Sequence, residues 1–452
     1  MNKVVFEVLS IRIRYFLIAL LVLILSSAAL LCAGCESTGS SLATVTQGAL
    51  PPAPSADRPR AKSDASRFSK NFFSAFPLVR IKINDGQTLD FLFDTGNAGL
   101  SLVDVTVAQQ LGLEMSPSGS ISFAGVTLPT LRAKAEQFHI LGEGKNQRQV
   151  TLRDVNFDVV DLAPFAELAG RRVDGILGYD VIRRFVTTVD YQRQTVIFGR
   201  ETKTVAEHIA AADARQDAAR PIEIKGHRIV MPFTLRGGWI IVKTRINSGA
   251  EEEMILDTGA SLTTFSRGQA RRLGLDVSRA RPTTLILPIG RLTYLPHRLH
   301  TIEFGGQTLS DSAAVVVSAR EGLFTAGTET SLLGANVLRY FRLTIDYGRR
   351  QLTLEPNTDF ESDPQEFTSV GVLPKLRDGR FYVSGVVNGS PADEEGIEIG
   401  DEITKLDGQT MDQYSFGELV DALRGPENSQ LDITVQRGQR TIALRLKRVK
   451  LL

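Results

Sequence analysis

Alternation of apolar and polar residues dominates the middle of the chain. In VRIKINDGQTLDFLF, Val79 to Phe93, alternating residues run into an Asn-Asp-Gly turn and then a second apolar stretch. That pattern predicts two short strands joined by a tight turn. VKTRINSGAEEEMIL, Val242 to Leu256, repeats it: Ile83-Asn84 matches Ile246-Asn247 and Gly86 matches Gly249, at an offset of 163 residues. A later stretch is also duplicated. GILGYDVIRRFVTTVDYQRQTVIF, Gly175 to Phe198, has a partner in SLLGANVLRYFRLTIDYGRRQLTL, Ser331 to Leu354. Gly178 pairs with Gly334, Val181 with Val337, Arg183 with Arg339, Phe185 with Phe341, and Asp190-Tyr191 with Asp346-Tyr347. A period shared over more than about 100 residues needs a common fold. Residues 71–200 and 220–357 are therefore read as two copies of one β-rich domain. The connector at 201–219 reads as helical or flexible. From Gln365 the pattern changes to short strands, one helix in SFGELVDALRG and a closing hairpin in LDITVQRGQRTIALRLKR. That predicts a third, small domain over 365–452.

The N-terminus has a different character. Arg12 and Arg14 precede the apolar run YFLIALLVLILSSAALL, which reads as a secretory signal or a membrane anchor. The run ends in Leu31-Cys32-Ala33-Gly34-Cys35. Ala-Gly-Cys resembles the end of a bacterial lipobox, with Cys35 as the lipidated residue and residues 1–35 as the signal. Cys32 stands where that pattern prefers Leu, and the run is long for a cleaved signal, so an uncleaved anchor is the alternative. Both place the body on the periplasmic side of a cell envelope, tied to a membrane. Residues 36–70, rich in Ser, Thr, Ala and Pro around PPAPSADRP, read as a flexible tether.

Composition narrows the function. With 452 residues, 42% hydrophobic and 23% charged, the chain suits about three globular domains. The formal net charge of +1 and scattered Lys and Arg offer no basic stripe for nucleic acid. Cys32 and Cys35 are the two cysteines, so the body has neither a disulfide framework nor a Cys-based metal site. His297 and His300 lack acidic neighbours and read as a surface pair, so no metal or cofactor is expected.

Both copies place Asp-Thr-Gly after their second strand: FLFDTGNAGLSL, Phe91 to Leu102, and MILDTGASLTTF, Met254 to Phe265. A single copy would read as an ordinary Asx-type turn. Two copies with matched flanks predict that Asp94 and Asp257 leave buried strands on tight turns. Gly96 and Gly259 let the backbone approach and supply N–H groups. Turns that face one another would set the carboxylates about 3 Å apart, sharing one proton. One Asp then activates water and the other protonates a carbonyl.

These residues resemble the pepsin/retropepsin clan of aspartic proteases, in particular bacterial retropepsin-like envelope proteins. The resemblance implies a mainly β fold in which two retropepsin-like β-barrel lobes form a bilobal pseudo-dimer within one chain, and hence a monomer. It makes Asp94 and Asp257 the catalytic dyad and Thr95 and Thr258 a reciprocal hydrogen-bonded lock. It also passes Ile176-Leu177-Gly178 and Leu332-Leu333-Gly334 beneath the dyad. The second motif, through Ala260 and Ser261, fits the family. The first has Asn97-Ala98, so Ser261 is expected to brace Asp257 as an anion, with Ala98 at the matching place unable to do so for Asp94. On that reading Asp94 carries the shared proton. Phe123-Ala124-Gly125 and Pro288-Ile289-Gly290 are the candidate flap tips.

Residues 365–452 resemble a small α+β PDZ domain of the kind found in carboxy-terminal processing and HtrA-type proteases. The matching pieces are Gly389-Ser390-Pro391-Ala392, Gly396-Ile397, Gly400-Asp401-Glu402-Ile403 and Leu406-Asp407-Gly408. The resemblance implies that Val370, Gly371 and Val372 offer N–H groups to a peptide C-terminus while the peptide adds a strand, with Leu419 and Leu423 walling a side-chain pocket. The reading that combines these features is an envelope aspartic endopeptidase acting on protein or peptide substrates. The alternatives are a peptide-binding lipoprotein with a decayed dyad and a purely structural lipoprotein.

Overall fold

The computed structural model describes residues 76–123, 126–142, 149–199, 223–225, 228–287, 290–317, 331–357 and 367–451. Cys35, the tether, the connector and the flap-tip residues Ala124, Gly125, Pro288 and Ile289 lie outside them.

Each copy folds into a closed ring of six strands. In the first, Leu78–Ile83 pairs with Thr88–Phe93, and Phe91 to Phe93 runs parallel to Gly175–Leu177. Leu102–Asp104, Val150–Val160 and Val126–Ile140 continue the ring. Ile81 opposite Ile140 closes it. The second copy runs Trp239–Ile246, Glu251–Leu256, Ser331–Leu333, Thr263–Ser266, Gln307–Val317 and Gly290–Phe304, closing through Thr244 opposite Phe304. The predicted turns explain how each ring starts. Asn84 and Asn247 both adopt φ of 49°, a left-handed conformation that Asn tolerates well. Their side-chain oxygens also accept the backbone N–H groups of Gln137 and of His300 and Thr301 across the ring. Inward positions alternate as the pattern requires: Ile81, Ile83, Phe91 and Phe93 in one barrel, Ile246, Met254, Leu256 and Phe265 in the other, all buried. Each such side chain is worth roughly 1.5–3 kcal/mol of transfer free energy.

The copies are joined by a sheet that neither owns. Val186–Asp190 lies antiparallel to Phe341–Asp346 with Thr188 opposite Thr344, their hydroxyls 2.8 Å apart. These are the same residue in the two repeats, so a pseudo-two-fold axis passes between them.

The C-terminal unit is built on Val372–Arg377, Arg380–Val387, Glu402–Leu406, Gln430–Arg437 and Arg440–Lys447. The predicted helix is Phe416–Leu423, started by a reciprocal capping box of Ser415 and Glu418. This unit touches both lobes. Gly385 to Val387 pairs with Thr283 to Leu285 of the long lobe-two hairpin. From lobe one, helix Ala163–Ala169 packs on Val372–Arg377, where Glu167 pairs with Arg377 at 2.5 Å and Lys375 at 3.2 Å.

Candidate active site

Strand ends deliver the two Asp-Thr-Gly turns to the interface between the lobes. Asp94 N–H donates to Leu177 O and Asp257 N–H to Leu333 O, so each turn continues the rung pattern of its parallel partner. The threonines then cross over. Thr95 N–H donates to Thr258 Oγ1 at 3.1 Å, and Thr258 N–H to Thr95 Oγ1 at 3.0 Å. Their hydroxyls donate to Leu256 O at 2.7 Å and Phe93 O at 2.8 Å. All these atoms are buried, where an unmatched donor or acceptor costs about 1–3 kcal/mol, so the lock fixes the separation of the turns. Gly96 and Gly259 are demanded by the opposite lobe. A Cβ on Gly96 would lie 2.5 Å from the Asp257 carboxyl, and one on Gly259 2.5 Å from that of Asp94.

The carboxyl groups of Asp94 and Asp257 are hydrogen-bonded to each other. Burial raises the pKa of Asp94, and N–H donors from Gly96, Asn97 and Gly259 offset part of that rise. Burial, then the charge of Asp94, pushes Asp257 well above the usual carboxylate range, against donors from Gly259 and Ala260. Asp257 is also only 6% exposed. The pair titrates as a unit; burial raises both groups, and the charge of Asp94 raises Asp257 further, a direction that favours the shared proton on Asp257. The sequence-based expectation puts that proton on Asp94.

The two turns also differ locally. Tyr179 N–H donates to Asn97 O, as Ala335 N–H does to Ala260 O. One residue on, Asp180 N–H donates to Gly99 O and Asn336 N–H to Ser261 O. Gly99, not Ala98, therefore stands where Ser261 stands, and Ala98 is an additional residue in the first turn. Below each turn lies a strut that sequence reasoning missed. Ser101 Oγ donates to Asp180 Oδ1 at 2.9 Å and accepts Gly178 N–H at 3.0 Å. Thr263 and Asn336 make the matching contact at 3.0 Å. The available signal was Asp or Asn two residues after the Φ-Φ-Gly glycine in both copies. Trp239 was missed as well: its indole Nε1 donates to Gly96 O at 2.8 Å across the lobe boundary.

The C-terminal unit holds an apolar cavity of about 100 Å³, bounded by Val372, Val420 and Leu423 on one side and Leu262, Tyr294 and Val315 of lobe two on the other. Leu419 does not wall it as expected. That side chain is fully buried in the unit's own core, and Val420, one position on, takes its place. The N–H groups of Val370 and Gly371 are spent on Leu423 O and Ser369 Oγ, and the Val370 side chain is core. Pro374 has no N–H to give an added strand. The carboxylate cradle expected at Val370 and Gly371 is thus engaged internally.

Family models match the two lobes and the C-terminal unit. An aspartyl protease family model matches residues 79–181 and 242–337, and a PDZ domain model matches 382–437. A probable CtpA-like serine protease of Staphylococcus aureus (strain COL) is 33% identical over 101 residues, 22% of this chain and 20% of the relative. Its Staphylococcus haemolyticus (strain JCSC1435) counterpart is 26% identical over 106 residues, 24% and 21% respectively. The chain therefore spans about a fifth of the length of these curated relatives. A crystal structure of a retropepsin-like aspartic protease from Rickettsia conorii aligns with 28% of this chain and 87% of its own at 22% identity and a TM-score of 0.21. The chain is mainly β, with two barrel lobes whose residues 79–181 and 242–337 match the aspartyl protease model, followed by a C-terminal unit that matches the PDZ domain model.

Proposed function

We propose that the protein is an aspartic endopeptidase of the bacterial cell envelope, complete within one chain. One observation carries the reading: the reciprocal Thr95–Thr258 lock holds two buried carboxyl groups in hydrogen-bond contact. Asp94, as the anion, takes a proton from water as its oxygen attacks the scissile carbonyl carbon. Asp257 gives its proton to the carbonyl oxygen, forming a neutral diol. When the C–N bond breaks, Asp94 passes its proton to the leaving nitrogen, and Asp257 recovers one from a diol hydroxyl. The dyad returns to its starting state without a covalent intermediate.

The PDZ domain is read as the holder of peptide or protein chains, with an apolar side chain seated against Val372, Val420 and Leu423. With Val370 and Gly371 engaged, C-terminal carboxylate capture needs that loop to rearrange. The N-terminal apolar run and Cys35 support membrane attachment on the periplasmic side, by lipid or by anchor.

The test is hydrolysis of a denatured-protein and peptide library by the full chain in detergent. Cleavage blocked by a pepstatin-type inhibitor and lost in both Asp94→Asn and Asp257→Asn is the expected result. Cleavage that persists in either variant would overturn the dyad, and no cleavage by the wild type would favour a peptide-binding role.

A further inference from the structure

We propose that Trp239 is the positioning residue that decides which aspartate of the dyad is ionised, acting on Asp94 through the peptide group shared by Gly96 and Asn97. The proposal rests on the peptidase reading for its kinetic consequence, while the protonation claim starts from the contact of Trp239 with Gly96.

The chain of contacts is short. Trp239 Nε1 donates to Gly96 O at 2.8 Å. That carbonyl and the Asn97 N–H are the two ends of one planar amide. The Asn97 N–H in turn donates to the Asp94 carboxylate. A donor on an amide oxygen polarises the amide and strengthens its N–H as a donor, and the effect is largest where water is excluded. The indole therefore stabilises a negative charge on Asp94 without touching it.

Among the described residues, lobe one offers Asp257 no equivalent donor. Leu78 opposite Leu92 and Ile241 opposite Ile255 are matching rungs, so the residue in the place of Trp239 is Phe76. That ring is buried against Phe165, with centroids 5.6 Å apart, and has no N–H. Trp239 is the single tryptophan in the chain, and its surroundings are specific. It follows a Gly237-Gly238 turn with positive φ at both residues. A Cβ on Gly238 would lie 2.5 Å from Ala98 O. The turn can thus reach the catalytic loop only with glycine there. The ring rests on Ile241, Ile255, Val317 and Leu332 of its own lobe, so one lobe anchors it while its N–H serves the other.

Asp94 faces Asp257 and little else that titrates. Tyr347, within reach of the charge on Asp94, and Tyr191, within reach of Asp257, are both held neutral by burial. Asp180, on the short helix Tyr179–Ile182 below the turn, is engaged by Ser101.

The experiment replaces Trp239 with Phe, and separately with benzothienylalanine, which keeps the bicyclic shape and puts sulfur in place of N–H. The full chain, labelled with carboxyl-carbon-13 aspartate, is titrated by NMR, with Asp94→Asn and Asp257→Asn assigning the signals. Both replacements should raise the proton affinity of the lower dyad step by about one and a half- to fourfold, the share by which one hydrogen bond strengthens the next when the acceptor is charged. The acid limb of kcat/KM should move to higher pH with it. A purely structural role would lower thermal stability and leave both titrations in place. Lower-step titration that is unmoved, or displaced to lower pH, overturns the proposal. If Trp239→Phe fails to fold, the benzothienylalanine protein decides. A wild type that titrates as expected but cleaves nothing sinks the peptidase reading and not this one. Cleavage with an unmoved titration does the opposite.

Discussion

The turn after Phe93 and the turn after Leu256 are two copies of one device, with the same threonine lock, the same glycine and the same rung to a parallel strand. They differ at several places. The first turn has an additional residue at Ala98, rests on Asp180 where the second rests on Asn336, and receives an indole N–H from the other lobe. Repetition of the fold gives proximity, since each copy contributes half of a symmetric contact. It cannot decide which carboxyl keeps the single proton that two close carboxylates must share. That decision falls to residues that break the symmetry, with Trp239 reaching the first turn and Ser261 standing in the second where the first has Gly99.

The largest effects come from removing either carboxylate. Asp94→Asn and Asp257→Asn should each lower kcat by at least about 10²–10⁴-fold, the weight of general acid–base catalysis. Their stabilities should differ. The pKa of Asp257 is raised well above its unfolded value, so the native state holds a proton that the unfolded chain has released. Wild-type stability therefore rises as pH falls through the folded pKa, until the unfolded carboxyl protonates near about 4. Asp257→Asn loses that pH dependence and should be more stable than wild type at neutral pH. Asp94→Asn should gain less. Denaturant unfolding at two pH values measures this, and equal gains would break the comparison.

Much of this was legible in the sequence because backbone contacts recur with the chain. Thr95 and Thr258 each bond a main-chain atom of the other copy, which leaves a fixed residue type at a fixed offset. The rungs under the turns likewise leave Φ-Φ-Gly twice. What stayed hidden has no such trace. Between Asp94 and Ser101 the offset to lobe two slips from 163 to 162, and Asn97, Ala98 and Gly99 are all small enough to blur the place. Trp239 reads as one more apolar strand residue, because its acceptor belongs to the other lobe. Phe416, Leu419, Val420 and Leu423 are all buried on one short helix, so only the packed strand shows that Val420 faces the cavity. The pairing of Thr283 to Leu285 with the PDZ domain is backbone to backbone and specifies no side chain.

The lock offers a test of symmetry in stability. Thr95→Val and Thr258→Val each remove a hydroxyl that donates to one buried carbonyl and accepts one buried N–H. Each should cost about 1–3 kcal/mol for the groups left unmatched. Thermal unfolding should show near-equal losses. A much larger loss in one variant would mean that one lobe holds the other.

The lobes also grip the PDZ domain differently, by backbone pairing from lobe two and by Glu167 from lobe one. Burial raises the pKa of Glu167, but Arg377 and Lys375 outweigh it and hold the group below its ordinary value. Its contribution is present above the unfolded pKa and lost as pH falls through the folded one. Glu167→Gln should cost up to about 1 kcal/mol at neutral pH, less at high salt and nothing below the folded pKa. A loss independent of salt and pH would assign the contact to packing.

The smallest expected effect tests the alignment of the two turns. Gly99 is outside the positive-φ glycines, and a Cβ there would lie 3.5 Å from Asn97 Oδ1, an ordinary contact. A serine therefore fits, and Gly99→Ser puts a hydroxyl where lobe two has Ser261. An added donor favours the charged form of a carboxylate, so the acid limb of kcat/KM, set by the lower step of the dyad, should move to lower pH by a few tenths. Ala98→Ser places its hydroxyl on the additional residue, which faces the Gly238 turn, and should leave the profile unmoved. The opposite outcome, with Ala98→Ser active and Gly99→Ser silent, would restore the residue-for-residue match of Ala98 to Ser261 and place the additional residue elsewhere in the turn.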